Sequence, residues 1–261
     1  MALSTTAYVY DDFLGERKFE RMLVDLEQKL NALGVFGHVA RLALFRNARD
    51  LVTSLINKGV NTVVIVGNDR TLDKMMWFLP EMGVTIGYIP MSGPSEIASM
   101  LGIPVGVGAV DVVAGRFIET LDVGLIDDRY FLSEIALPAT MASVDIEGAY
   151  RLSTIHGGAI SIRNLGGADE RGVHRADPKD GKLDVVITPQ LTAKPSRWKK
   201  KENEETHTFI TNGRIFSSEP VDVRVDAHLV NGFEFRLGIA PQKIRFITSR
   251  ARNFGEPASR A

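Results

Sequence analysis

The stretch NTVVIVGNDRTLDKMM, residues 61–76, constrains the fold more than any other part of the chain. Val63, Val64, Ile65 and Val66 form an unbroken β-branched run, which reads as a buried strand. The run stops at Gly67, and helical spacing takes over from about Thr71 to Leu79, where Pro80 is predicted to close the helix. The same alternation surrounds it. AYVY (7–10) is a second strand, and ERKFERMLVDLEQKLNALG (16–34) puts Phe19, Met22, Leu23, Leu26, Leu30 and Leu33 on one helical face, with Gly34 as terminator. HVARLAL (38–44) alternates like a strand. NARDLVTSLINKG then offers Asn47 as N-cap, an apolar stripe of Leu51, Val52, Leu55 and Ile56, and Gly59 as stop. VTIGYIP (84–90) and SEIASMLG (95–102) add a strand and a short helix. Strands separated by single helices pair in parallel through right-handed crossovers.

After about Gly115 the texture changes. IETLDVGLI, RYFLSEIAL, GAISIRNL, LDVVITP, THTFITNGRIF, VDVRVDA, FEFRLGI and KIRFITS are short strands with few helical stretches between them, the pattern of an antiparallel sandwich. The expected class is therefore α+β with two domains: a three-layer α/β domain with a parallel sheet over 1–116 and a β-sandwich over 117–240. A segment 241–261 may be expected to return to the first domain.

With 261 residues, 44% of them apolar and a formal net charge of −1, the chain has material for a sizeable core and no electrostatic footprint of a nucleic-acid binder. No apolar run approaches the roughly 20 residues that span a bilayer, and MALSTTAYVYDD lacks a basic region followed by an apolar one, so a cytoplasmic location is expected. The absence of cysteine excludes disulfides, thiolate metal sites and thiol nucleophiles. The charged stretch PSRWKKKENEE (195–205) reads either as a solvated hairpin loop or as a basic tip making peripheral contact with anionic lipid headgroups.

In open α/β sheets ligands sit beyond the carboxyl ends of the strands, where two turns stand out. In GNDRT, Asp69 has the residue type of an N-cap, and equally that of a group beside bound phosphate, directly or through Mg²⁺, with Thr71 and the helix N-terminus donating hydrogen bonds. In PMSGPSEIA, Gly93 is predicted as N-cap, Pro94 as N1 and Glu96 as N3, with Ser92 and Ser95 offering hydroxyls.

The order of these pieces resembles the diacylglycerol kinase catalytic-domain family, bacterial lipid kinases that share a fold superfamily with NAD kinases and sphingosine kinases. The family's GGDGT corresponds to Gly67-Asn68-Asp69-Arg70-Thr71, and its PLGTGNDFA with a following LGIP to PMSGPSEIASMLGIP (90–104). GRFIETLDVGLIDDRYFLSEIAL, DGKLDVVI at 180–187, SSEPVDVRVDAH at 217–228 and the closing PQKIRFI follow in the family's order. NAD kinases share the first signature but not the later two patterns. The resemblance implies ATP and Mg²⁺ as cofactors and a lipid acceptor. It assigns Gly67, Asn68, Asp69, Arg70, Thr71, Ser92, Gly93, Ser95 and Glu96 to the nucleotide, Asp69 and Asp180 to metal, and Asp226 to the base. Homodimerisation is likewise implied by it alone.

The chain departs from the family at several of these positions. Asn68 and Arg70 stand where glycines let backbone meet phosphate; Asn tolerates left-handed backbone, and Arg70 either fills the space or reaches phosphate itself. Pro94 removes a backbone donor. Ala227 and His228 replace the Gly-Glu after the presumed base, and His228 also reads as an ordinary strand-end residue. Asp180 has a metal-free reading too, because an Asp-Gly turn explains it. Two functions stay open: a lipid kinase with an altered nucleotide site, and a non-catalytic protein of the same fold that binds nucleotide, lipid or partner; a blocked site would have Arg70 held by a carboxylate such as Glu96. An NAD kinase-like enzyme is a third.

Overall fold

The structure, a computed structural model, describes residues 5–42, 47–138, 142–154, 157–166, 176–189 and 205–254. The charged stretch singled out at 195–205 lies outside the described residues except for Glu205. The chain divides into two compact units, Met1–Leu121 with Gln242–Ala261, and Asp122–Pro241.

The first unit runs β1 (Thr6–Tyr10), α1 (Glu20–Ala32), β2 (Gly37–Arg41), α2 (Ala48–Asn57), β3 (Thr62–Gly67), α3 (Asp69–Met76), α4 (Leu79–Met82), β4 (Thr85–Pro90), α5 (Glu96–Met100) and α6 (Ala109–Gly115). The chain then continues through β5 (Phe117–Ile126), β6 (Arg129–Phe131), β7 (Glu134–Leu137), β8 (Ser143–Ile146), β9 (Tyr150–Ser153), β10 (Gly158–Arg163), β11 (Leu183–Pro189), β12 (Thr206–Ile210), β13 (Asn212–Val225) and β14 (His228–Thr248).

In the first unit β2, β1, β3 and β4 pair in parallel in that order, and Arg245 and Phe246 of β14 add a parallel edge to β4. Val63 through Val66 are fully buried, as the unbroken apolar run requires. Helix α1 buries Leu26 and Leu30 and packs against α6, and Phe19 is buried just before it. Leu33 departs from the expected stripe: it is the residue after the last helical turn and is 46% exposed. Asn47 caps α2 as expected, its side chain accepting from the Arg49 amide at 3.0 Å. Pro80 does not close a helix. It sits in the first turn of α4, where its missing N–H has no intrahelical partner to lose.

The second unit is antiparallel. Strands β12, β11, β10, β7, β13 and β14 pair in succession, β6 pairs with β5, and β8 lies between β13 and β9. Ile135, Leu137, Val144, Ile160, Ile162, Val185, Ile215, Val223 and Phe235 meet in one core. The fold is thus α/β with a parallel sheet in the first unit and a large antiparallel array in the second. Two local expectations differ. Strands β8 and β9 escaped the sequence pattern, and FEFRLGI and KIRFITS belong to one 21-residue strand, β14, that continues through Pro241. Among the described residues, no helix is long and apolar enough to cross a membrane.

Candidate functional site

The carboxyl ends of β1, β3 and β4 bring three loops of the first unit together. Gly67 ends β3, and Asn68, with extended backbone at φ −128° and ψ −178°, caps α3. The Asn68 side chain accepts from the Thr71 amide, and Thr71 Oγ1 accepts from the Asn68 amide; both are 3.1 Å. This reciprocal capping box corrects the expectation that Asp69 is the cap. It also removes the need for left-handed backbone at 68. Thr71 Oγ1 further donates to Asp11 Oδ2 at 2.6 Å, tying the loop after β1 to the start of α3.

Asp69 is the first residue of the helix. Its Oδ1 accepts from the Tyr88 hydroxyl at 2.8 Å and from Ser95 Oγ at 2.5 Å. Burial and the adjacent Asp69 carboxylate push the Tyr88 phenol far above its ordinary value, so it remains a donor throughout the physiological range. Ser95, not Gly93, caps α5: its Oγ accepts from the Ala98 amide at 2.9 Å. Gly93 instead makes the left-handed turn at φ +66°, and Glu96 becomes the first helical residue. Ser95 is buried, Ser92 half-buried, and Glu96 and Arg70 are exposed. Among the described residues Arg70 and Glu96 make no ion pair with each other or with any other group, so the contact that would have held Arg70 is not formed.

Gly67 has a packing reason independent of any ligand. A Cβ there would lie 2.4 Å from Thr71 Oγ1 and 2.7 Å from Thr71 Cβ. Gly67→Ala should therefore push Thr71 out of the capping box and lower stability by about 2 kcal/mol, measured by urea unfolding.

Asp226 and Asp180 belong to the second unit. Asp226 is 8% exposed, with φ 47°. Its Oδ2 accepts from the Leu132 amide at 2.7 Å, and its Oδ1 from the Ser133 and Glu134 amides at 2.9 and 2.8 Å. The Asp226 amide donates back to the Glu134 carbonyl at 2.8 Å. Asn164 completes this polar knot from below: its amide nitrogen donates to the carbonyls of Asp122 and Leu132 at 3.0 and 2.8 Å. His228 is half-buried and pairs with Val225 across the turn that holds Asp226. Asp180 forms the expected Asp-Gly turn, accepting from the Lys182 amide at 2.9 Å, while the Gly181 amide donates to Asp122 Oδ2 at 2.9 Å. Partial burial, with Asp177 and Asp122 nearby, raises the Asp180 carboxyl above its ordinary value. Among the described residues no three acidic or histidine side chains are grouped to hold a metal ion.

Sequence reasoning missed Asp11 and Tyr88. Tyr88 lies within β4, and Asp11 directly follows β1, so an acid right after AYVY was the available signal for Asp11.

No family model matches the chain. Among solved structures, that of a diacylglycerol kinase from Bacillus anthracis superposes with a TM-score of 0.76 at 15% identity, covering 97% of this chain and 99% of that one. The chain has the diacylglycerol kinase-like fold. A putative diacylglycerol kinase from the same organism gives 0.74 at 14% identity, over 97% and 98% of the two chains. Likeness at this identity establishes the diacylglycerol kinase-like fold alone. In sequence the chain resembles the diacylglycerol kinase of Staphylococcus haemolyticus, 25% identical over 152 residues, 57% of this chain and 46% of that protein. It also resembles that of Mycobacterium tuberculosis, 29% identical over 84 residues, 31% and 27% of the two chains. The chain thus spans about half the length of the first of these diacylglycerol kinases or less.

Proposed function

We propose that this chain is a lipid kinase-like phosphotransferase that holds a nucleotide, ATP with Mg²⁺, on the loops following β3 and β4 and transfers its terminal phosphoryl group to a lipid hydroxyl. Asp69 carries the reading. It is a carboxylate at the end of a central strand, oriented through Oδ1 by Tyr88 and Ser95, with Oδ2 uncommitted among the described residues. Mg²⁺ commonly takes one or two protein carboxylates and completes its shell with phosphate oxygens and water, and one oriented aspartate suits that pattern. The capping box spends the Asn68 and Thr71 amides, leaving those of Asp69 and Arg70 to face an anion at the positive end of α3. The exposed Arg70 guanidinium adds a bidentate donor where the related kinases have glycine. The base role falls to Asp226 by its place in the family's closing motif, its carboxylate held in position by the Leu132, Ser133 and Glu134 amides.

That same bonding favours a second reading, a non-catalytic binder, because a buried carboxylate engaged by three amides is built first for holding structure. One experiment separates the readings. Mg·ATP is titrated against the purified chain, with Mg·GTP and NAD in parallel, and phosphate transfer to diacylglycerol is followed with labelled ATP. The kinase reading expects saturable Mg·ATP binding and transfer, with Arg70→Ala weakening binding by about 1.5–3 kcal/mol. Binding without transfer supports the non-catalytic reading. Binding indifferent to Arg70→Ala puts the nucleotide elsewhere, and no binding to the wild type overturns the nucleotide assignment.

A further inference from the structure

The second unit carries a groove that the phosphoryl-transfer reading does not use. Along β7, β10 and β11 the core takes Ile135, Leu137, Ile160, Ile162, Val185 and Ile187, so the alternate side chains stand on the opposite face of the sheet. There the register sets Ala136 opposite Ser161, and Ser161 opposite Val186, with Arg224 of β13 beside Ala136 and Leu229 of β14 beside Arg224. Small side chains in the middle of the row, Ala136, Ala159 and Ser161, leave a trough between larger neighbours. The resulting cavity is about 530 Å³, within the range of ligand pockets. Its walls are apolar at Val186, Pro138 and Leu229, and Leu229 is 66% exposed despite its size.

One end of the trough is cationic. Arg163 Nε lies 3.2 Å from Glu134 Oε2, and an Arg224 terminal nitrogen lies 2.9 Å from Glu134 Oε1. Glu134 is shared by the two guanidiniums and Asp184 stands opposite Arg163 in the register, so the donors left at this end are those of Arg224, whose side chain is 54% exposed. At the other end Glu205 accepts from Thr188 Oγ1 at 3.4 Å, and its charge disfavours a second anionic group there. An apolar trough with one exposed guanidinium at its mouth matches a ligand that has one anionic head and one apolar chain.

We propose that this groove binds a single-chain anionic amphiphile, its head against Arg163 and Arg224 and its chain along Ala136, Ala159 and Val186. The site is contained in the second unit, and it stands or falls independently of the nucleotide assignment. The test is calorimetric titration of the full chain with dodecanoate below its micelle concentration. One saturable site is expected, with decanoate binding about tenfold more weakly for the loss of two buried methylenes. Arg224→Ala should weaken dodecanoate at least about fivefold, and Ala136→Leu, which fills the trough, should abolish binding while thermal unfolding stays cooperative. Should Ala136→Leu not fold, Ala159→Leu carries the same test. Dodecyl phosphate is titrated alongside: whichever head binds more tightly is assigned as the natural one, and both orders support the site. Dodecanol or dodecyltrimethylammonium binding as tightly as dodecanoate overturns the proposal. So does dodecanoate binding that survives both Arg224→Ala and the trough-filling variant, or the absence of a saturable site.

Discussion

Asp226→Ala should destabilise the second unit by about 3–5 kcal/mol, because three backbone amides, at 132, 133 and 134, lose a charged acceptor in a buried setting. Each such bond contributes about 1.5–3 kcal/mol, and water entering the space left by the side chain offsets part of the sum. Alanine also tolerates the left-handed backbone at this position less well than aspartate does. Asp226→Asn keeps the acceptor for Ser133 and Glu134 but turns its NH2, a donor, toward the Leu132 amide, so about half the loss is expected. Urea unfolding followed by far-ultraviolet circular dichroism measures both. If Asp226→Ala unfolds like the wild type yet abolishes phosphate transfer, the residue acts in the chemistry and its bonds to the 132–134 turn are incidental.

Removing one partner of the Arg252–Glu119 pair should cost the first unit a similar amount, about 3–5 kcal/mol. Arg252 Nε lies 2.8 Å from Glu119 Oε1, with side-chain exposures of only 6% and 7%. The approach is close but poorly aligned as a hydrogen bond, so the contact is chiefly an ion pair. The guanidinium is also stacked near Phe254 and Phe117, at 5.2 and 5.8 Å from their ring centres. Arg252→Met leaves Glu119 charged and buried; Glu119→Gln leaves the guanidinium in the same position. The double replacement Arg252→Met with Glu119→Leu should recover most of the loss, since the penalty comes from burying one member of the pair without the other. Thermal unfolding of the single and double variants decides the matter. Single variants as stable as the wild type would mean that water reaches the pair and screens it.

The elements of the first unit were legible because each carries a local signal: the β-branched run at 63–66, the Leu26–Leu30 stripe, and Asn47 ahead of α2. Cap identity was less so. Asn68 and Asp69 are both good N-cap types and adjacent, as are Gly93 and Ser95 two apart, and only the position of the strand end chooses between them. Pro80 misled because proline both ends helices and begins them. The role of Asp226 as an acceptor for a distant turn was invisible, because its partners lie more than 90 residues away in sequence. Distance along the chain also hid Asp11 from Thr71, 60 residues on, and Glu119 from Arg252. Strands β8 and β9 escaped because SVDI and YRLS are short and neither alternates over enough residues to stand out.

Strand β14 has a consequence for the order in which the molecule is made. Near its end, Arg245 and Phe246 complete the parallel sheet begun by Thr6–Tyr10, and the residues after it bond to the end of α5 through Ser249 and Asn253. A chain emerging from the ribosome therefore exposes β1 to β4 long before the strand that borders β4 exists. The second unit, whose sequence is uninterrupted, can mature first, while the earliest-born segment waits with one sheet edge unpaired. Synthesis that stalls just past residue 241, with the second unit complete, would leave the older part of the molecule as the unfinished one, and that part is where nascent chains should recruit chaperones.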